Sequence, residues 1–408
     1  MMDEGTKKPK YKSPSTIRSR KNRSAKKNLE QKDRLPPNNR SAKIAELTEL
    51  YGLPPKTKFL FFKKGQKKPM FRIYFGTVVC LDADTCQLLL VARFVERTSE
   101  NRGLFENYNH AIPTVYQHAR ARGLVKLNGA TKKARANRRK YGKMWAAGFR
   151  PGCDAVVKAG TYTFNPTTSA SLWRMQEDLA RQGNLPAIED FFAEHFSGLS
   201  SYTFKSNAEL ASSAGVPSWA GHSFYVSSNA QVFASNIVVT CDEFVNQKHT
   251  DFDATQYAFG FFARINRKTG RLYSRQNDVN KGDSVGARFI LDDYRIMVDY
   301  DACDGVVEML WSSKIHHHTT SSATYNAKNV KVVPSRGNIT RFGCACQVSQ
   351  RLVDRITQVN DMRGNMTDEK WFKFRATLMT GYPEEARKKM ARLAEKHGID
   401  DFSLALSS

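Results

Sequence analysis

From Asn236 to about Leu352 the chain is a series of short apolar runs separated by turn sequences, and no other feature restricts its fold as much. Asn236-Ile-Val-Val-Thr240 opens the series, and Asn266-Arg-Lys-Thr-Gly270, Lys281-Gly282-Asp283 and Cys303-Asp304-Gly305 divide it. Gly and Asp at those points supply the backbone freedom that tight turns need, and short strands at such spacing predict a β-sandwich or jelly roll. Strands are also expected from about Tyr202 to Asp251. A hydrophobic content of 40% is enough for a packed core.

The flanks differ. Phe59–Phe62 and Phe71–Phe94 are rich in Val, Leu, Phe and Tyr, and Asp82-Ala-Asp84 reads as the turn of a hairpin or small sheet. The pattern turns helical over Ala111–Trp145, and Ser169–Gln182 and Pro186–His195 read as amphipathic helices. Thr367–His397 closes the chain as helices, with Thr367-Asp-Glu-Lys an N-terminal cap and Gly398 a stop. Residues 1–57 are rich in Lys, Arg, Ser, Asn and Pro, too polar to offset their ordering entropy, and are expected to form a disordered basic arm. Order is expected near Lys58, with a hairpin and basic helical region over 58–150 and the main body over 151–408.

The net charge is +25, and residues 1–70 alone carry about +14. So basic a chain repels itself, and the charge predicts an acidic partner, foremost nucleic acid. Arg120, Arg122, Lys126, Lys132, Lys133, Arg135, Arg138, Arg139, Lys140 and Lys143 follow one another without an acidic residue, as a phosphate-contacting helix or loop would. Arg18-Ser-Arg20-Lys21-Asn-Arg23 with Lys26-Lys27 suits a nuclear-import signal or a DNA-gripping tail, and a nuclear protein is expected. No apolar run reaches transmembrane length, no basic helix has a strongly apolar face, and no membrane partner is expected. Seven cysteines without a CxxC pair indicate a reducing compartment, and Cys344-Ala-Cys346 reads as core rather than zinc site.

The chemistry concentrates in Gln247-Lys-His249-Thr-Asp251-Phe-Asp253. On a strand, residues two apart project to one side, so His249 and Asp251 can bind one metal together. Two histidines and one carboxylate on one face of iron(II) leave three positions open, as O2 activation beside a bidentate co-substrate requires. Met309-Leu-Trp-Ser-Ser-Lys-Ile-His316-His317-His318-Thr319-Thr320 offers the second histidine after an apolar strand. Ile339-Thr-Arg341-Phe-Gly-Cys-Ala-Cys-Gln347 offers a guanidinium able to hold a distal carboxylate bidentately, as 2-oxoglutarate would demand. Trp311 and Phe342 read as core, and Asp253 as either a partner behind the metal ligands or a turn residue.

In His249-Thr-Asp251, His317-His-Thr319-Thr320 and Thr340-Arg341 the chain resembles the TET/JBP branch of the iron(II)/2-oxoglutarate dioxygenases, particularly its TET-like members in mushroom-forming fungi. The resemblance is close over about 249–352 and loose from about 150. It implies an α+β fold: a double-stranded β-helix (jelly-roll) dioxygenase core flanked by helices. It implies Fe(II) held by His249, Asp251 and His317, and 2-oxoglutarate held by Arg341. It further implies oxidation of the methyl group of 5-methylcytosine in double-stranded DNA to 5-hydroxymethylcytosine and beyond, with O2 as co-substrate and the base flipped out of the duplex. Arg135, Arg138, Arg139 and Lys140 would then contact phosphates of the distorted duplex, and the enzyme is expected to act as a monomer.

The chain departs from that pattern at three places. Three histidines stand in a row, and on a strand His316 and His318 point one way and His317 the other, so the ligand turns on register; the family motif favours His317. Gly343 stands where animal members have Ser. Gln347 and Ser349 stand where they have base-reading aromatic and His residues, and an amide that donates and accepts suits cytosine or adenine. N6-methyladenine demethylation is therefore an alternative substrate chemistry, and a catalytically silent DNA-binding protein an alternative class. Asp251-Phe-Asp253-Ala-Thr255 also matches a DxDxT phosphatase signature, but Asn246-Gln-Lys-His249 is not the buried strand that signature follows, and no βα alternation comes after it.

Overall fold

The computed structural model describes residues 40–125, 142–152, 158–164, 171–224, 231–242, 244–246, 248–273, 287–322 and 337–397. Arg18 to Lys27, most of the basic run (Lys126, Lys132, Lys133, Arg135, Arg138, Arg139 and Lys140), Gln247, the Lys281-Gly282-Asp283 turn and Gly398 lie outside the described residues.

Among the described residues, two sheets and seven α-helices make a mixed α+β architecture, as expected. The strands are β1 (Lys58–Phe62), β2 (Phe71–Ile73), β3 (Thr77–Asp82), β4 (Leu88–Glu96), β5 (Lys143–Pro151), β6 (Ala159–Thr161), β7 (Asn236–Cys241), β8 (Tyr257–Asn266), β9 (Ala287–Leu291), β10 (Ile296–Asp299), β11 (Gly305–Ser312), β12 (His318–Ser322) and β13 (Ile339–Gln347). The large sheet runs β1-β3-β4-β11-β8-β13-β7-β5-β6 and the small one β12-β9-β10-β2. The helices are α1 (Arg40–Tyr51), α2 (Arg102–Arg120), α3 (Ser171–Leu199), α4 (Ser201–Ser213), α5 (Gln350–Asp361), α6 (Asp368–Leu378) and α7 (Tyr382–His397).

Strand β8 shows why the large sheet lies between two layers. Phe259, Phe261, Ala263 and Ile265 join the cluster under α1 to α4, while Ala258 and Phe262 join the cluster between the sheets. Alternate residues of a strand face opposite sides, so a run apolar on both faces is a central strand covered twice. Gly260 is required by close approach: a Cβ there would come 1.8 Å from the Cys344 carbonyl oxygen on β13. On the helix side, Glu308 of β11 is fully buried, accepting from Tyr108 of α2, with Arg93 Nε of β4 2.6 Å from one oxygen and His195 Nδ1 of α3 2.5 Å from the other. The cluster satisfies both oxygens, which a buried carboxylate needs, and ties two helices to the sheet.

Several expectations change. Order begins by Arg40 rather than near Lys58, because Leu47 and Tyr51 fall on one face of α1 and bury in the helix-side core. Pairing of β4 with β11 builds the strands before residue 150 into the same sheet as those after it. Tyr202 to Ser213 is helix, not strand. Ser200 Oγ caps it by accepting from Thr203 N at 3.3 Å, and Phe204, Asn207, Ala208 and Ala211 bury with helical spacing. The helix expected to run to Trp145 ends at Arg120, and Trp145 lies on β5, paired with Val239.

The two helices expected at 169–195 are one. Leu185, Ile188, Phe192 and Phe196 bury across Pro186, and four such side chains contribute roughly 6–12 kcal/mol against about 3 for an internal proline. The Asp82 turn and the Thr367 cap are as expected: Asp82 Oδ1 accepts from Asp84 N and Thr85 N at 2.8 Å, and Thr367 Oγ1 from Lys370 N at 3.4 Å. Cys344 and Cys346, with Trp311 and Phe342, are buried in the core. Among the described residues no helix is long and apolar enough to cross a membrane.

Candidate metal centre

The segment before β8 meets the start of β12 in a single antiparallel bridge. His249 N donates to His318 O at 3.1 Å, and His318 N to His249 O at 2.9 Å. Residues exchanging both hydrogen bonds lie directly opposite with side chains on one face, so the bridge itself brings the imidazoles together, with centroids 4.6 Å apart. Asp251 follows two residues later, its N donating to Ser313 O at 3.0 Å, and its side chain turns back to the same point. His249 Nε2 is 3.2 Å from Asp251 Oδ1, and His318 Nε2 is 3.4 Å from Asp251 Oδ2. One donor atom from each residue lies within 4.8 Å of the others, close enough for one ion.

The third member corrects the expectation. His317 points away, with Nδ1 3.2 Å from Asp293 Oδ2, and is half exposed. His316 is buried edge-on against Tyr294, with ring centroids 5.1 Å apart, and burial pushes its imidazole down. Register decides this: β12 pairs His318 with Leu291 of β9, and only His318 stands opposite His249.

The electrostatics suit a cation. Burial pushes the Asp251 carboxyl up, but hydrogen bonding to His249 and His318 outweighs it and holds the group well below the usual carboxylate range. His318 Nδ1 lies 3.3 Å from the His316 carbonyl oxygen, which can only accept. Nδ1 can donate to it, which leaves Nε2 as the ring atom that faces Asp251. The ring stacks on Phe289, with centroids 5.5 Å and planes 21° apart. Asn246, which carried no sequence signal beyond proximity, braces the loop: its Oδ1 accepts from Thr320 N at 2.6 Å. Asp253 is buried and faces no solvent. Burial and then repulsion by Asp251 push its carboxyl well up.

Arg341 faces the space between the sheets, since its β13 neighbour Phe342 packs in the helix-side core. Its Nη2 donates to the Phe244 carbonyl oxygen, and its buried Nη1 has no hydrogen-bond partner among the described residues. Aromatic contacts join it to the triad: His318 on Phe289, Phe289 beside Trp311, Trp311 beside Phe262, and Phe262 stacked on Tyr300, whose hydroxyl feels the Arg341 charge. Gly343 has no room for a serine, because a Cβ would lie 2.9 Å from Thr240 Oγ1 and 3.0 Å from the Phe262 ring. Ser349 bridges Asp253 and so stands beside the metal loop, while Gln347, at the end of β13, pairs with Asn236 of β7.

The basic run divides. Arg122 is buried, with Nη1 2.6 Å from Asp178 Oδ1, and is a structural cation rather than a phosphate contact. Lys143 pairs with Asp242 at 2.9 Å, and Arg120 donates to the Arg267 carbonyl oxygen at 3.0 Å. Arg135, Arg138, Arg139 and Lys140 lie outside the described residues.

Two imidazoles and one carboxylate converging on one face, with a buried guanidinium nitrogen left for an acid, define a mononuclear non-haem iron oxygenase site. The Tet-like 2OG-Fe(II) oxygenase superfamily matches residues 117–323, and the chain belongs to it. The match contains His249, Asp251 and His318, and Arg341 lies beyond it. No curated protein matches the chain. Fe(II) and 2-oxoglutarate are the cofactor and co-substrate of this family, with O2 the second co-substrate, and the residues present fit both.

Proposed function

We propose that this chain oxidises the methyl group of 5-methylcytosine in double-stranded DNA to 5-hydroxymethylcytosine and further, as a monomer in the nucleus. The observation that carries the reading is the His249–Asp251–His318 triad, joined through the ring contacts of Phe289, Trp311, Phe262 and Tyr300 to the face of β13 that carries Arg341. From β7 the chain passes to the His249 bridge on the small sheet, back to β8, over to β9 and β10, back to β11, over to β12 and back to β13. We read this alternation as a double-stranded β-helix.

His249, Asp251 and His318 would hold the iron, and Arg341 would hold the distal carboxylate of 2-oxoglutarate through Nη1 and Nη2. With O2, the loaded site supplies the oxidising power that turns a methyl C–H into C–OH while 2-oxoglutarate becomes succinate and CO2. The protein's own task is to keep its donors ready. The Asp251 carboxyl stays ionised, the His316 carbonyl orients the His318 imidazole, and Phe289 holds the ring in place. Between the sheets, Phe262, Phe289, Tyr300 and Trp311 keep water from that space.

The charge of +25 supports a nucleic-acid substrate, and Arg135, Arg138, Arg139 and Lys140 would neutralise phosphates. A methyl group inside a duplex is reachable only if the base is extruded. A base entering beside the Asp253–Ser349 bridge would meet Gln347 and Ser349, whose polar groups can read its edge. The test is to incubate the protein with Fe(II), ascorbate, 2-oxoglutarate and duplexes carrying 5-methylcytosine or N6-methyladenine, followed by nucleoside mass spectrometry. Oxidised cytosine with matching succinate is expected. Loss of methyl from adenine alone would move the chemistry to N-demethylation, and duplex binding with no product from either would leave a silent DNA-binding protein.

A further inference from the structure

Phe252 stands between Asp251 and the buried Asp253, yet it is 68% exposed. The backbone gives it no choice. Asp251 N donates to Ser313 O at 3.0 Å, Asp253 bridges Ser349, Ala254 N donates to Val348 O at 2.7 Å, and Gln350 N reaches Phe252 O at 3.4 Å. With both neighbours pinned and turned inward, the residue between them projects to the opposite side. The ring therefore cannot meet a base held at the metal, but it lies at the rim beside it. Ile315, 46% exposed, stands two residues beyond Ser313 in the adjoining turn.

Helix α5 starts beside this ring. Leu352, Ile356 and Val359 bury one face, while Arg351 and Arg355 are exposed, about 6 Å apart along the axis. They line a cleft of about 410 Å³ together with Pro151, Gly152, Asp354 and Gln358. Asp354 Oδ1 accepts from Gln350 Nε2 at 2.9 Å, and Arg355 Nη1 donates to Gln358 Oε1 at 2.9 Å. A flat apolar ring followed by two guanidiniums is the pairing that a nucleic-acid strand fits, because every base offers a π-face and every linkage a phosphate.

We propose that Phe252 stacks on the nucleobase adjoining the extruded one, holding the strand open, while Arg351 and Arg355 take phosphates of that strand. The proposal rests on the DNA reading above and names the part of the substrate that this rim contacts. Its test is the binding of the metal-free 408-residue chain to a fluorescein-labelled duplex, read by anisotropy. A second duplex carries 2-aminopurine next to the methylated base to report stacking. Phe252→Ala and Phe252→Leu should weaken binding about 5- to 100-fold and leave the 2-aminopurine signal unquenched, while Phe252→Trp stays within about threefold of the parent. Arg351→Gln with Arg355→Gln should lower the salt dependence of log K by about 2, whatever the sequence.

Thermal unfolding of each variant checks that the exposed substitutions leave the fold intact. Parent chain binding the duplex with Phe252→Ala binding equally well would overturn the stacking role and leave the DNA reading standing. A Phe252→Leu variant equal to the parent in both signals would also overturn it. A parent chain that binds no duplex would sink the DNA reading itself. Loss of self-association in Phe252→Ala at unchanged duplex affinity would make the ring a protein contact and overturn the proposal.

Discussion

Replacing His317 and His318 separately tests the metal centre most directly, because the two residues are adjacent and chemically identical. His317→Ala removes a half-exposed imidazole that pairs with Asp293 at 3.2 Å. An exposed pair of this kind is worth about 0.2–1 kcal/mol, so stability should change by less than about 1 kcal/mol and metal affinity hardly at all. His318→Ala removes a side chain only 5% exposed, with Nε2 3.4 Å from Asp251 and its ring stacked on Phe289. Losing a group merely behind a ligand costs about 10–100-fold in metal affinity, so losing the ligand should cost at least about 100-fold, or about 2.7 kcal/mol. The assay is anaerobic calorimetric titration with Fe(II), paired with thermal unfolding of the metal-free variants. If His317→Ala abolishes binding while His318→Ala retains it, the register derived from the His249–His318 bridge is wrong.

Three further outcomes follow from buried charges. Arg341→Met should leave Fe(II) binding intact but abolish most of the thermal stabilisation by 2-oxoglutarate, because removing one partner of a buried ionic contact costs about 2–5 kcal/mol. Glu308→Ala leaves Arg93 and His195 facing a void, and should cost about 3–5 kcal/mol in chemical denaturation, with Glu308→Gln costing less. Burial raises the Glu189 carboxyl to about 7, against the downward pull of the Ser218 hydroxyl. Since the folded value lies above the ordinary 4.5, its contribution is full below about pH 4 and is lost as pH rises through 7. Glu189→Gln should therefore flatten the stability profile between those limits, gaining on the order of 3 kcal/mol at pH 8 relative to pH 4. An unchanged pH profile would show that Glu189 does not titrate there.

The parts of the fold visible in the sequence are those governed by local rules. The Asp82 turn and the Thr367 cap depend on a side-chain oxygen meeting nearby backbone N–H groups, and both stand where the spacing puts them. The helix from Ser201 and the strand through Trp145 were not visible. Tyr202 to Ala211 mixes aromatic and polar residues whose helical period emerges only when Phe204 and Ala208 find their neighbours, and Trp145 owes its strand to pairing with Val239. Arg122 shows the same limit for charge: a basic run looks uniform until one member is buried against Asp178.

For the metal centre, His249-x-Asp251 and the guanidinium of Arg341 could be read from sequence because each is a residue type at a spacing that its chemistry requires. The third ligand could not, because three histidines in a row offer identical chemistry. Choosing among them depends on which backbone group pairs across the gap, and such pairing joins residues 69 positions apart, a relation that local spacing does not encode. Sequence alone determined the chemistry this protein can hold. Tertiary structure decided that His318 lies with His249 and Asp251, that Arg341 faces the space between the sheets, and that Phe252 is exposed beside Asp251, since each depends on strands brought together only by folding.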